Sequence, residues 1–349
     1  MNLTNKMGDR ENNNVLLQPS KMVQHRWPVN MVEDDIEEFK DQKKYPTIDT
    51  YLRRIGSAWV SPDSVIYRYG IPVRETLASP DQMPYYRMKH LVKKILTGKK
   101  QRLDDNKKYL LVTDLWSTGH FHWFVDTLPK LLCVGEKAAE FTLILPDTPY
   151  IRTIGLESLA LLQIQFGDII LMNEKAFYKI KNLYYISPVT LSGQMYPELM
   201  QKMQHKLIGN TKPGNRRIYI SREKAGFRKV VNEKSLLDML KANQFDVLYG
   251  EDLTLSEQRI IFSSCNTLLG IHGAGLTNCI LMHPESKVIE LRRKENGPHN
   301  VGYWHLADSL NHQYYYFNGV PDSGKQFVGK GCNLSIPIDQ FEQVVLQQL

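Results

Sequence analysis

No stretch of this chain approaches the roughly 18 consecutive apolar residues that a membrane-spanning helix needs, and no leader with an apolar centre opens it. A membrane-spanning or exported protein is therefore not expected, and the cytoplasm is the expected location. Cysteine is scarce: Cys133, Cys265, Cys279 and Cys332 are scattered without a Cys-x-x-Cys pair. That spacing argues against a disulfide framework, and reduced thiols are the simplest reading. The doublet His120-x-His122 has no third ligand at a usual metal spacing, so no metal centre is expected. Gly-x-Gly-x-x-Gly is missing too, because Gly273-x-Gly275 has Asn278 where the third glycine belongs, and no Gly-Lys-Ser or Gly-Lys-Thr marks a Walker loop. Fixed-period repeats are lacking, and a net charge of +7 comes without any nucleic-acid module, so nucleic acid is not an expected partner.

What the chain does contain is an ordinary globular composition, 42% hydrophobic and 23% charged over 349 residues, enough for two domains of about 150 residues each. From Arg216 onward, apolar runs of strand length alternate with helical spacings. Residues 216–222 read as a strand, Asn232 opens a helix carrying Leu236, Leu237 and Leu240, and residues 245–248 read as the next strand. Thr254 and Glu257 stand at capping-box spacing ahead of another helix. The alternation predicts a parallel sheet with helices on both faces, whose ligands collect at the carboxyl ends of its strands. Residues 109–186 continue the pattern less regularly, and Lys212-Pro213-Gly214-Asn215 has the composition of a boundary.

Two constellations carry chemistry. In the first, the strand at residues 267–271 runs straight into His272-Gly273-Ala274-Gly275-Leu276-Thr277-Asn278, the last of which begin a helix. Glycines there let backbone N–H groups approach an anion while the helix start supplies partial positive charge, so phosphate is the expected guest. The plain alternative is a tight turn whose glycines serve packing. Arg222 closes a neighbouring strand and offers a fork of donors suited to a diphosphate, and Arg228 follows in the same basic loop. Glu290, near the end of the following strand, is a candidate ribose anchor or simply a partner for Arg292 or Arg293. In the second constellation, His122 and Asp126 share one face if the segment is helical, with Trp123 as an apolar anchor and Pro129 at or near a helix start. Such a pair can take a proton from an attacking hydroxyl, or can be no more than a histidine satisfied by its neighbour.

Taken together these residues resemble glycosyltransferase family 61. The His-Trp-x-x-Asp-x-Leu-Pro pattern is met by His122, Trp123, Asp126, Leu128 and Pro129, and the Ile-Ser-Arg pattern with its second arginine and asparagine by Ile220, Ser221, Arg222, Arg228 and Asn232. His-Gly-Ala-Gly-Leu-Thr-Asn is met from His272 to Asn278, and Val-Ile-Glu-Leu by Val288, Ile289, Glu290 and Leu291. The likeness covers residues 110–320 and, more loosely, a β meander between Val60 and Glu75.

The resemblance implies an α/β protein of GT-B architecture, two Rossmann-like domains facing a cleft, that inverts configuration as it moves a sugar from a nucleotide donor. Family members use UDP-xylose, UDP-GlcNAc or UDP-arabinose, so a UDP-sugar is the expected donor and a glycan or lipid-linked glycan the expected acceptor. Since eukaryotic relatives are anchored or secreted, the chain looks like a bacterial member serving polysaccharide synthesis. The expected organisation is a disordered leader over residues 1–20, an acceptor-side domain over 21–211, a donor domain over 212–335 and a final helix over 336–349 that crosses back to the first domain. The basic stretch 87–102 holds seven Lys or Arg and no acid, and as an amphipathic helix would suit contact with an anionic membrane face. The site expected on these grounds has Asp126, favoured over His122, as base. Arg222, Arg228, His272, the loop 273–278 and Glu290 would hold the donor.

A Rossmann oxidoreductase and a non-catalytic sugar binder remain as alternatives, the former weakened by Asn278 and the late position of the glycine turn. Asp-x-Asp occurs nowhere in the chain, which removes the usual carboxylate handhold for a divalent metal on a nucleotide sugar. Transfer is therefore expected to persist in excess chelator, and a turnover assay that loses all activity on chelation would contradict this.

Overall fold

The computed structural model describes residues 14–78, 98–250, 253–295, 300–324 and 331–349, and within them the protein is a mixed α/β structure built on two principal sheets. In the first, the strands Tyr109–Leu111, Thr142–Pro146 and Asp168–Met172 run parallel in sequence order away from the centre, and the eleven-residue strand Ala176–Ile186 returns to pair with Tyr109–Leu111 on its other side. Strand order thus reverses between Tyr109–Leu111 and Ala176–Ile186. An antiparallel meander of Thr50–Val60, Ile66–Arg68 and Ile71–Pro72 completes that sheet. In the second sheet Phe245–Leu248, Arg216–Ile220, Cys265–Ile271, Lys287–Arg292 and Gln313–Asn318 are all parallel, in the order two-one-three-four-five along the chain.

The inner strands of both parallel regions are buried on both faces, which is why they read as near-continuous apolar runs. Alternation divides those runs between layers. Leu110 and Val112 join a core that continues through Met200, Met203 and Leu207 of the helix Pro197–Ile208 to Ile218, Leu268 and Val288 of the second sheet. Tyr219, Leu269 and Ile289, one position along, face a separate layer closed by Leu236, Leu240 and Phe341. A single apolar body therefore joins the two sheets. Among the described residues no helix is long and apolar enough to cross a membrane.

Several expectations change here. Residues 1–13 of the leader lie outside the described residues, but Asn14–Gln18 is a strand paired antiparallel with Thr50–Val60, because alternate backbone groups there find partners on an open strand edge. Most of the 87–102 stretch also lies outside them. Its end, Lys99–Arg102, is a strand parallel to Ala176–Ile186 rather than helix. The final helix, Ile338–Val344, stays on the second sheet: Phe341, Val345 and Leu346 fill that sheet's outer layer. Asn232 clamps the approach to it, accepting from the Ile336 N–H at 2.8 Å and donating to the Ile336 carbonyl at 2.7 Å instead of capping the helix it precedes.

The crossing is made from the other end of the chain. Residues 25–42 lie as a strap over the second sheet's edge strand: the Val29 N–H donates to Tyr314 O at 2.8 Å, and Asn30 both donates to and accepts from the Tyr316 backbone. These bonds occupy an edge that would otherwise invite pairing with another chain. The acidic run pins the strap, Asp35 to Lys294 at 2.6 Å and Glu38 to Arg292 at 2.8 Å. The second pair is fully enclosed, with the Arg292 guanidinium 4.6 Å from the centre of the Phe39 ring. Burial lifts the Glu38 pKa above the ordinary carboxylate value although Arg292 lies alongside, so desolvation outweighs the attraction. The pair's weight lies in what its loss would strand. Glu38→Ala leaves a buried guanidinium that cannot shed its proton, and it is expected to cost about 3–5 kcal/mol in denaturant unfolding. A loss below about 1 kcal/mol would show that the strap does not depend on the pair.

Candidate functional site

Each parallel region opens a crevice where its strand order reverses, since chains leaving neighbouring strands on opposite sides of the sheet diverge. In the second sheet that point falls between Arg216–Ile220 and Cys265–Ile271, whose carboxyl ends carry Ser221-Arg222 and His272 to Gly275. In the first it falls between Tyr109–Leu111 and Ala176–Ile186, whose continuations carry the His122 segment and Ser192. Facing crevices from the two sheets meet in a pair of adjoining cavities.

The glycine turn is shaped by close approach. A Cβ on Gly275 would stand 2.7 Å from Ile220 Cγ2, and one on Gly273, whose φ is +158°, would stand 2.5 Å from an Arg222 guanidinium nitrogen. Leu276 and Thr277 are completely buried, and the Leu276 N–H donates to the Gly273 carbonyl at 3.0 Å. Their side chains therefore serve packing. Ala274 and Gly275, at the start of the 3-10 helix Ala274–Leu281, line a cavity, and their N–H groups precede the helix's first carbonyls.

The basic loop opposite is tied down beneath the site. Glu233 accepts from both Tyr219 and Ser221, at 2.7 and 2.8 Å, fixing the exit of the strand before Arg222. Arg222 and Arg228 lie 5.8 and 5.3 Å from the centre of the Phe227 ring. Burial, and then the charge of Arg222, hold Arg228 below the usual arginine pKa. Two guanidiniums that keep their protons are thus held close together, an arrangement that an anion between them would relieve.

Glu290 does not reach this anion corner. It is fully buried, accepts from Tyr314 at 2.6 Å, and its other oxygen lies 2.5 Å from His272 Nδ1. The ribose-anchor expectation is therefore corrected: parallel register sets Glu290 beside Gly270, which puts its side chain on the face shared with His272, two residues on. Glu290 orients His272 instead.

The second dyad has the same form. After Tyr109–Leu111 the chain enters a short helix, His120–His122, a wide π turn, Trp123–Thr127, and the helix Leu128–Val134. The wide turn accommodates Pro129, whose ring would strike the carbonyl of Val125 in a regular helix. Trp123 anchors it, donating from Nε1 to Ser158 at 2.8 Å inside the core. His122 Nδ1 lies 2.6 Å from Asp126 Oδ2, and Ser192 donates to the same oxygen at 3.0 Å.

One cavity, about 600 Å³, runs from Tyr150 and Ile154 on the first sheet's side to Arg222, Leu253, Ala274 and Gly275 on the second's. The other, about 500 Å³, is lined by Trp116, Phe121, His122, Arg228, His272 and Tyr303, with Ser192 at its wall. Asp126 lines neither, standing behind His122 and Ser192. His122, by contrast, lines the second cavity with its Nδ1 engaged by Asp126.

Two residues form a wall of both cavities, Ala274 and His120. The role of His120 escaped the sequence reading, which weighed it only as a metal ligand. Its Nε2 lies 3.3 Å from Asn278 Oδ1 and its Nδ1 lies 3.1 Å from the Tyr150 hydroxyl. Ser192 and Tyr303 were missed as well, and no local pattern marks them. Among the described residues no group of three or more His, Cys, Asp or Glu side chains could hold a metal ion.

Two parallel switch points face each other in this α/β protein, one carrying arginines and the start of a helix and the other an acid-backed histidine. The family model for glycosyltransferase 61 matches residues 120–289, a span that begins at His120 and takes in the His122 dyad, both arginines and the glycine turn. Over those residues the chain carries a glycosyltransferase 61 domain, and that supports a glycosyltransferase. No curated protein matches it.

Gly275→Ala is expected to lower stability by about 1–3 kcal/mol, since the new methyl meets the buried branched side chain of Ile220 at 2.7 Å. A Gly275→Ala protein that melts with the wild type would show the contact with Ile220 to be looser than described.

Proposed function

We propose that this protein transfers a sugar, with inversion, from a UDP-linked donor to a hydroxyl of a glycan acceptor, and that the two sheets act as the facing domains of a GT-B enzyme. The observation that carries this reading is the adjoining of the two cavities, one cationic at its inner end and one faced by an acid-backed histidine. The first suits a nucleoside diphosphate: its apolar span between Tyr150 and Leu253 accepts a base and ribose, and its Arg222, Ala274 and Gly275 corner accepts phosphates. Trp116 and Phe121 give the second cavity aromatic surface, which suits the apolar face of a sugar ring. A polysaccharide acceptor at the cytoplasmic face of a membrane fits this reading.

In the proposed reaction the acceptor hydroxyl enters beside His122, and Nε2 takes its proton as the oxygen attacks the anomeric carbon. The new carbon–oxygen bond forms on the side opposite the leaving group. The bond to the diphosphate oxygen breaks, and its electron pair leaves with the diphosphate. Arg222, Arg228, His272 and the amides of Ala274 and Gly275 are arranged to stabilise that charge without reorganising. Asp126 holds the His122 tautomer and offsets the charge on the ring once it is protonated, as Glu290 does for His272.

UDP is expected to raise the melting temperature of the wild-type protein, and failure of every nucleoside diphosphate to do so would overturn the reading. Replacing His122 by Gln or Asp126 by Asn should each lower kcat by at least about 100-fold while UDP affinity stays within about twofold. An active His122→Gln protein beside an inactive Asp126→Asn protein would move the base to the carboxylate.

A further inference from the structure

Ser192 lines the same cavity as His122, and the reaction proposed above gives it no part. Its place is firmly built. The chain turns sharply through residues 190–194: Thr190 donates to the Gln194 carbonyl at 2.8 Å, the Gln194 N–H donates to the Leu191 carbonyl at 2.9 Å, and Gly193 takes a φ of +87°, which suits glycine. The buried His305 ring fastens this turn to the strap, with Nδ1 2.8 Å from the Gly193 carbonyl and Nε2 2.9 Å from that of Gln42.

Asp126 Oδ2 has two partners at once, His122 Nδ1 at 2.6 Å and Ser192 Oγ at 3.0 Å. An ionised carboxylate offers no hydrogen, so the hydrogens of both contacts come from the histidine and the serine. The Ser192 hydroxyl is thereby committed as a donor and keeps only its acceptor lone pairs. A neutral His122 ring with its hydrogen on Nδ1 likewise keeps only the lone pair of Nε2. The His122 side chain is 31% exposed, and among the described residues no protein group donates to its Nε2 or to Ser192 Oγ. Two acceptors held on one carboxylate oxygen thus border the cavity, and they suit a ligand with two neighbouring donors.

Resting on the function proposed above, we propose that Ser192 binds the acceptor and that the acceptor is a sugar unit with free hydroxyls on adjacent carbons. One hydroxyl meets His122 Nε2 and attacks. Its neighbour donates to Ser192 Oγ and keeps its proton throughout, with none of its covalent bonds formed or broken. A hydroxyl without such a neighbour leaves the serine oxygen unmatched, and a site built around a hydroxyl discriminates against the analogue that lacks it.

The test uses the methyl glycosides of xylose, glucose, galactose and mannose as acceptors, each also in its monodeoxy forms. The donor is whichever of UDP-xylose, UDP-GlcNAc and UDP-arabinose the wild type turns over fastest with them. Values of kcat/KM are measured for the wild type, Ser192→Ala and Ser192→Thr, the last of which keeps a hydroxyl, with melting curves to establish that the variants are folded. In the wild type, removing the hydroxyl next to the one glycosylated is expected to lower kcat/KM by about tenfold, the scale of one hydrogen bond. Ser192→Ala should be slower with every acceptor yet show no more than about a twofold penalty for that removal, and Ser192→Thr should keep the penalty. An equal penalty in wild type and Ser192→Ala overturns the proposal and leaves the serine as a support for Asp126 alone. A wild type indifferent to the adjacent hydroxyl overturns it as well, and in both cases the observed transfer leaves the proposed function standing. A wild type that binds UDP but transfers to none of these glycosides, all of which carry adjacent hydroxyls, counts against this inference by itself. One that binds no nucleoside diphosphate fails at the earlier step and takes this inference with it.

Discussion

A polypeptide leaving two adjacent parallel strands toward opposite faces of a sheet cannot close the space between its own exits. Everything at this site depends on that constraint. Between Ile220 and Ile271 the second sheet leaves a gap, and the chain on either side brings to it the Arg222 guanidinium and the start of the helix Ala274–Leu281. Small residues fit because the chain is close there: a Cβ on Gly275 would press on Ile220, and one on Gly273 on the Arg222 side chain. The first sheet repeats the constraint with other side chains, and the shared core through the helix Pro197–Ile208 brings the two gaps face to face.

Within that space the polar groups follow one scheme. A histidine faces the cavity and a carboxylate behind it fixes the ring, His122 on Asp126 and His272 on Glu290. The carboxylates differ in depth. Asp126 keeps slight exposure and a serine partner, while Glu290 is sealed between His272 and Tyr314. Two backed imidazoles and two arginines around one opening make an environment suited to transferring a proton beside a departing anion, the pairing that the proposed sugar transfer requires.

The strap over residues 25–42 ties the arrangement together. By taking the free edge of the second sheet and burying Glu38 against Arg292, it ties the first sheet's leading segment to the strand beside the His272 dyad. Arg292 follows Glu290 by two residues on the same strand, so the strap and the site share one element. Two acids of the run from Glu33 to Asp41 are thus internal, Asp35 and Glu38, which are among the least exposed acids of the described chain.

By itself the sequence determined what depends on neighbours along the chain. The alternation after Arg216, the Thr254 and Glu257 capping box, the tight glycine turn and the i, i+4 pairing of His122 with Asp126 all rest on local spacing, and each is present in the structure. Only the tertiary structure decided direction and depth. Nothing within residues 287–292 says that Glu290 faces inward until parallel register sets it beside Gly270, and nothing near Asp126 says that Ser192 covers it. The final helix could not be assigned to a sheet from its own residues, nor His120 to a wall between two cavities. Burial and convergence come from elements far apart in the chain, and a pattern read over a few residues holds no record of what packs across from it.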